Sequence, residues 1–179
     1  MRLSLLCEQI IEPTSEMIDY FYYRTCEHID RVIQNMKKVD DRTDYDHDVL
    51  ISRGQSHDES KYQNEVELVP YIWLTEFYRC QNSGQDFEYP SGIESQVDAA
   101  CLHHVQNNRH HPEFHDDINS MSDIDIIEMV CDWTAMSQEL GQDGGSAKGW
   151  ADKNIGSKWN FNNDRIDLIY YIIDVIDND

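Results

Sequence analysis

Apolar residues in this chain return every three or four positions and almost never in strict alternation. That periodicity restricts the fold to packed helices. The stripe is strongest from Asp123 to Leu140, and Ser122 stands before it as a cap. A second stripe runs through Ile166, Ile169, Tyr170, Ile173 and Ile176, predicting a last helix over Asp164 to Ile176. A third joins Phe21, Ile29, Val32, Ile33 and Met36, capped by Thr14 or Ser15 and ending near Val39. Shorter helical stretches are expected over about 3–12, 46–52, 64–80 with Pro70 inside it, and 93–107. Loops fill the rest, notably 110–119 and a glycine-rich stretch over 141–158, with Trp150 and Trp159 in or beside it. The expected fold is all-α, a single-domain helical bundle with long loops. Its core occupies about 14–140, with 141–179 packed on it.

A length of 179 residues suits one domain, and 40% hydrophobic residues are enough to build a core rather than a disordered chain. No apolar run approaches the roughly 20 residues a membrane span needs. The apolar start Met1–Cys7 is too short for a signal peptide and is interrupted by Glu8 and Glu12, so a cytoplasmic location is expected. Five cysteines, an odd number without a CxxC pair, form neither a disulfide framework nor a zinc ribbon. They read as reduced thiols in helix cores. The formal net charge of −21 repels a nucleic-acid backbone, so direct binding to one is not expected. It fits a solvated acidic surface, or a protein that imitates DNA and occupies a basic partner. An acidic protein that handles phosphate needs local positive charge, which a divalent cation supplies.

The histidines are unevenly placed. His103, His104, His110, His111 and His115 crowd one segment, and His28, His47 and His57 stand apart. His57 and Asp58 are adjacent, and both reach one cation if the backbone bends there. Imidazole and carboxylate together suit Mn, Co, Zn, Fe or Ni. Lys61 lies one helical turn beyond Asp58, placed to meet a phosphate as a point charge. His28 shares a face with Phe21, Thr25, Val32 and Met36. Alone it reads as a buried histidine satisfied by a hydrogen bond. Asp132 lies between Met129, Trp133 and Met136, where a carboxylate is costly unless it is paired or binds metal.

The order His28, His57-Asp58, Asp132 on successive helices resembles the HD superfamily of metal-dependent phosphohydrolases. His57-Asp58-Glu59-Ser60-Lys61 looks like a variant of its central motif. Glu128-Met129-Val130-Cys131-Asp132-Trp133 resembles the helix that closes its signature. Together with His104 and Asn108-Arg109-His110-His111-Pro112-Glu113, these are similar to an HD-like family of phage and bacterial genomes. The resemblance spans roughly residues 20 to 140, and a phage-encoded member would work in the host cytoplasm.

The resemblance implies a helical core that clamps a divalent transition metal, or Mg, with His28, His57, Asp58 and Asp132. Lys61, His111 and Arg109 would hold the substrate phosphate. Asp58, Glu59 and His104 would carry the catalysis, with Glu59, His104 or His111 as general acid or base. Glu59 also reads as a favourable charge at a helix start. The spacing differs from the best-known two-metal branch, which leaves a second metal open. His103, His110 and His115 read as surface histidines. The implied substrate is a nucleotide: a (deoxy)nucleoside monophosphate losing phosphate, or a dNTP losing triphosphate. Tyr22, Tyr23, Trp73 and Trp150 are candidates to stack a base, though the spacing of the first three suits the core. The glycine-rich loop is either a lid or a connector. Two other classes stay open, a non-hydrolytic HD-like di-iron oxygenase and the acidic DNA-mimic inhibitor. The isoleucine-rich last helix can pair two copies into a homo-oligomer, or it can be core.

Overall fold

The computed structural model describes residues 12–178, so Cys7 and all but the last residue of the helix expected over 3–12 lie outside the described residues. The described chain is an all-α bundle with no strand; its one bridge links Ile155 and Trp159. The helices are α1 (Ser15–Asp40), α2 (His47–Gln55), α3 (Ser60–Gln63), α4 (Glu65–Asn82), α5 (Ile93–Asn107), α6 (Asp123–Leu140), α7 (Lys148–Asn154) and α8 (Asn163–Asp177). Short 3-10 turns over Pro112–Phe114 and Ile118–Ser120 break the segment expected as plain loop. The glycine-rich stretch also differs from expectation, because it contains α7.

Thr14 caps α1, its hydroxyl accepting from the Met17 N–H at 3.3 Å. At about 1.5 Å per residue, α1 is about 39 Å long and spans the whole bundle. Its buried stripe is mainly apolar towards both ends, apart from Asn35, which bonds the Cys131 carbonyl and Gln138, and polar in the middle. Met17 and Phe21 come first, then Thr25 and His28, then Val32, Met36 and Val39. The two apolar ends enter two separate clusters.

The larger cluster joins the end of α1 to Leu50 of α2, most of α6, and Ile169, Ile172, Ile173 and Ile176 of α8. Each isoleucine fully buried there contributes about 1.5–3 kcal/mol. The isoleucine face of α8 is therefore core, covered within the chain. Ser122 and Asp125 close a reciprocal capping box at the start of α6. Helix α6 is buried nearly all round, as a central helix must be. The smaller cluster joins Met17 and Phe21 to Ile72 and Trp73 of α4 and Ile93 and Val97 of α5. Aromatic residues including Tyr71, Phe87 and Tyr89 surround it. Tyr22 and Tyr23, expected in the core, are exposed, because the α1 stripe turns them away from both clusters. Of the cysteines, Cys80 and Cys131 are buried, but Cys26 is exposed.

Candidate metal centre

The polar middle of α1 sits at the seam between the two clusters, and there the chemistry-bearing residues meet. Helix α2 approaches α1 closely at Gly54, where a Cβ would lie 2.9 Å from Met36 Sδ. Past the end of α2 the chain bends sharply, and Asp58 adopts a left-handed backbone with φ +58°. Aspartate tolerates that region better than most residues. The bend lets His57 and Asp58 face the same point, as their adjacency requires. His104 comes from the last turn of α5, His110 and His111 from the turn after it, and Asp132 from α6.

The distances are those of a shared cavity. His28 Nε2 lies 3.1 Å from Asp132 Oδ1 and 3.8 Å from Asp58 Oδ2. His57 Nε2 lies 3.7 Å from Asp58 Oδ2 and 3.8 Å from Asp132 Oδ1. The other Asp58 oxygen, Oδ1, faces His104 Nε2 at 3.1 Å and His110 Nε2 at 3.9 Å. Asp58 thus turns one oxygen to His28 and His57, and the other to His104 and His110.

A second layer of acids aims the rings. The His57 Nδ1–H donates to Glu128 Oε1 at 3.0 Å, and His110 Nδ1 lies 3.3 Å from the same oxygen. Arg53 holds Glu128 and Asp125 in turn. His104 Nδ1 bonds Glu67 Oε2 at 3.0 Å, and Glu67 also binds the Ser60 hydroxyl and His103. These acids fix the tautomer, because a ring that donates through Nδ1 offers its Nε2 lone pair inward.

The inward atoms lack hydrogen-bond partners. His57 Nε2, His104 Nε2, His110 Nε2, His111 Nε2 and Asp58 Oδ1 are all buried without a hydrogen bond of proper geometry. So many buried orphans at one point are costly unless a ligand satisfies them. The ligand atoms of His28, His57 and Asp58 fall within 4.8 Å of one another, as do those of His57, His110 and Asp132, and those of His104, His110 and His111. Mixed imidazole and carboxylate donors with oriented rings fit a divalent transition metal.

Charge agrees with geometry. Burial alone would raise the pKa of Asp58, yet Lys61, His57 and His104 hold it well below the usual range. Asp132 is likewise held low against burial by His28 and His57. Burial opposes protonation of His57, but Asp58, Asp132 and Glu128 raise its pKa to about 10. The acids demand positive charge at this point, which a divalent cation would supply while releasing protons. Burial and the neighbouring imidazole of His110 lower His111 to about 2, so it stays neutral.

A cavity of about 200 Å³ opens on His28, Asp58 and Asp132, with Lys61, Arg24, Tyr71 and Tyr78 among its walls. Lys61 pairs with Asp58 and lies 5.1 Å from the Tyr71 ring centre. Two expected contributors are elsewhere. Glu59 is exposed, accepts from the Gln63 side-chain amide, and lines an outer cleft, because the bend that turns Asp58 inward turns Glu59 outward. Arg109 donates to both oxygens of buried Asp125, which holds it at the start of α6 and outside the cavity lining. His110 is the reverse case: expected at the surface, it is 2% exposed and faces the centre. His103 and His115 stay outside, one on Glu67 and the other on the Arg109 carbonyl.

Arg24 is a wall residue that the sequence reading missed. Glu139 accepts from its Nε, and its Nη groups make no hydrogen bond among the described residues. Glu128 and Glu67 were also missed in their aiming role. A signal existed for Glu128, which lies four residues before Asp132 and so on the same helical face.

No curated protein and no solved structure matches this chain. Residues 17–175 match the profile of a family described as of unknown function, DUF5662, and the chain belongs to that family.

Proposed function

We propose that this protein is a metal-dependent phosphohydrolase of the HD type that acts on a nucleotide. The observation that carries the reading is the set of inward, unpartnered Nε2 atoms around Asp58, each ring except that of His111 approached from behind by a carboxylate. His28, His57, Asp58 and Asp132 would hold the cation. His104 and His110, facing the second oxygen of Asp58, would hold another if two bind, with His111 beside them. When bound, such a cation supplies Lewis acidity toward a phosphoryl oxygen and a nucleophile at neutral pH.

The chain's own residues do the rest. Lys61 and Arg24 line the cavity and would hold phosphoryl oxygens in a protein of net charge −21. Lys61 and Arg24 are only partly exposed, so those contacts would be screened less than at the open surface. Water adds to phosphorus, the bond from phosphorus to the nucleoside oxygen breaks, and that oxygen takes a proton. The products are an alcohol and phosphate, or triphosphate from a dNTP. With Glu59 turned outward, it has no part in this reading.

The test is incubation with nucleoside mono- and triphosphates in Mn²⁺, Co²⁺ or Mg²⁺, with products resolved by chromatography. Wild type should release nucleoside, and Asp58→Ala should lose essentially all of that activity together with metal binding. The co-product, phosphate or triphosphate, names the reaction. The two-sided Asp58 carboxylate also supports a second reading, a non-hydrolytic di-iron oxygenase. Two irons per chain, oxygen consumption and no phosphate release would favour it. A chain that binds no metal at all would return the acidic DNA-mimic reading.

A further inference from the structure

Two cavities diverge from Asp132 and Met136. One is the phosphate-side cavity of Lys61 and Arg24. The other, about 260 Å³, contains neither of those cations. Asp132 and His111 line it together with Trp133, Trp150 and Trp159. Trp133 and Trp159 stack on each other, with centroids 5.5 Å apart and planes 8° from parallel, and Lys158 Nζ lies 4.3 Å from the Trp159 ring centre. Trp150, carried by α7, is 44% exposed and stacks on no ring among the described residues. The Gln142 side-chain amide and the Ser137 hydroxyl, also in this lining, make no side-chain hydrogen bond among the described residues.

An apolar, aromatic slot with a few free polar groups suits a planar heterocycle. A second phosphate is disfavoured there, because Lys158, the cation in the lining, is already paired with the lining acid Glu113, which also accepts from the Trp159 N–H. We infer that this cavity is a nucleobase subsite, with Trp150 as its stacking platform and Gln142 as the reader of the base edge. The inference rests on the proposed phosphohydrolase reading for the phosphate end. A single nucleotide then spans both cavities, its phosphate between Lys61 and Arg24 and its base beside Trp150, passing Asp132 and Met136. Helix α7 becomes a wall of the substrate site rather than a simple connector.

The experiment uses the full chain without added metal. Adenosine, guanosine, cytidine and thymidine are titrated separately, with ribose as control, and followed by tryptophan fluorescence and calorimetry. At least one nucleoside should bind saturably, and ribose should not. Trp150→Ala should weaken that binding about tenfold or more, and Trp150→Phe should restore most of it. Circular dichroism verifies that each variant keeps its helices. No nucleoside binding to wild type, or binding indifferent to Trp150→Ala, overturns the subsite. The two readings separate cleanly. Nucleoside binding without nucleotide turnover keeps the subsite and removes the hydrolase. Turnover with no nucleoside binding and a KM indifferent to Trp150→Ala removes the subsite and keeps the hydrolase.

Discussion

The two halves of the bundle bury their apolar residues differently. Around α6 and α8 the core is mainly aliphatic, with Ile126, Ile127, Ile169 and Ile172 all fully buried, and Trp133, Trp159 and Phe161 only at its edge. Around α4 and α5 it is smaller, mixed with aromatics, and leaves Trp73 and Ile93 at 8% and 6% exposure. The acids behind the histidines divide the same way. Glu128, on α6, aims His57 and His110 and is itself gripped by Arg53. Glu67, on α4, aims His104 and is held by a hydroxyl and a second histidine. The closed half is a scaffold that fixes most donors. The open half forms the mouth, supplying Lys61 by way of α3 and Tyr71 and Tyr78 from α4.

The contrast breaks most easily in the cores. Ile172→Ala should cost about 4–5 kcal/mol, because a dense aliphatic site cannot collapse, and Ile72→Ala about 2–3 kcal/mol, because partly open aromatics can shift into the space. Denaturant unfolding measures both, and equal losses would erase the distinction. Next comes metal affinity. Glu128→Gln should weaken binding of Mn²⁺ or Zn²⁺ about 100-fold, and Glu67→Gln about tenfold, because the first acid orients two rings and the second one. Calorimetric titration reads the ratio, and a reversed order would make α4 the organising side.

The smallest effect is pH-dependent. Burial alone would raise the pKa of Asp125, but Arg109, Ser122 and Arg53 bring it below its ordinary value of 3.8. A depressed folded pKa means the unfolded chain binds the proton first. The stabilisation from Asp125 is therefore complete above pH 3.8 and is lost as pH falls through the lower folded value. Asp125→Asn should melt lower at neutral pH and show a shallower acid-side decline. Parallel decline in both proteins would mean that Arg109 and Arg53 do not stabilise the scaffold through this acid.

Some of the site was legible in the chain. The inward face of α1 named His28, and the α6 stripe named Asp132, because i, i+3 and i+4 neighbours share a face whatever else the fold does. The His57-Asp58 pair was legible from adjacency. Glu59 was misread for the same reason. Adjacency places it beside the motif, and the left-handed bend at Asp58, invisible in composition, turns it away. Arg109 was misread because its partner Asp125 lies on another element, 16 residues away. His110 was misread because it follows α5 in a turn, where helical periodicity says nothing about direction.

By itself, then, the sequence determined an all-α chain, most helix positions, and which residues on α1 and α6 turn inward. The tertiary structure alone decided how those residues meet. The acid behind His57 lies 71 residues away, and the acid behind His104 lies 37 away. Periodicity is a short-range rule that reaches one or two turns, whereas a metal centre is set by the packing of whole helices. In this bundle, the orientation of a ring nitrogen depends on which distant carboxylate that packing brings behind it.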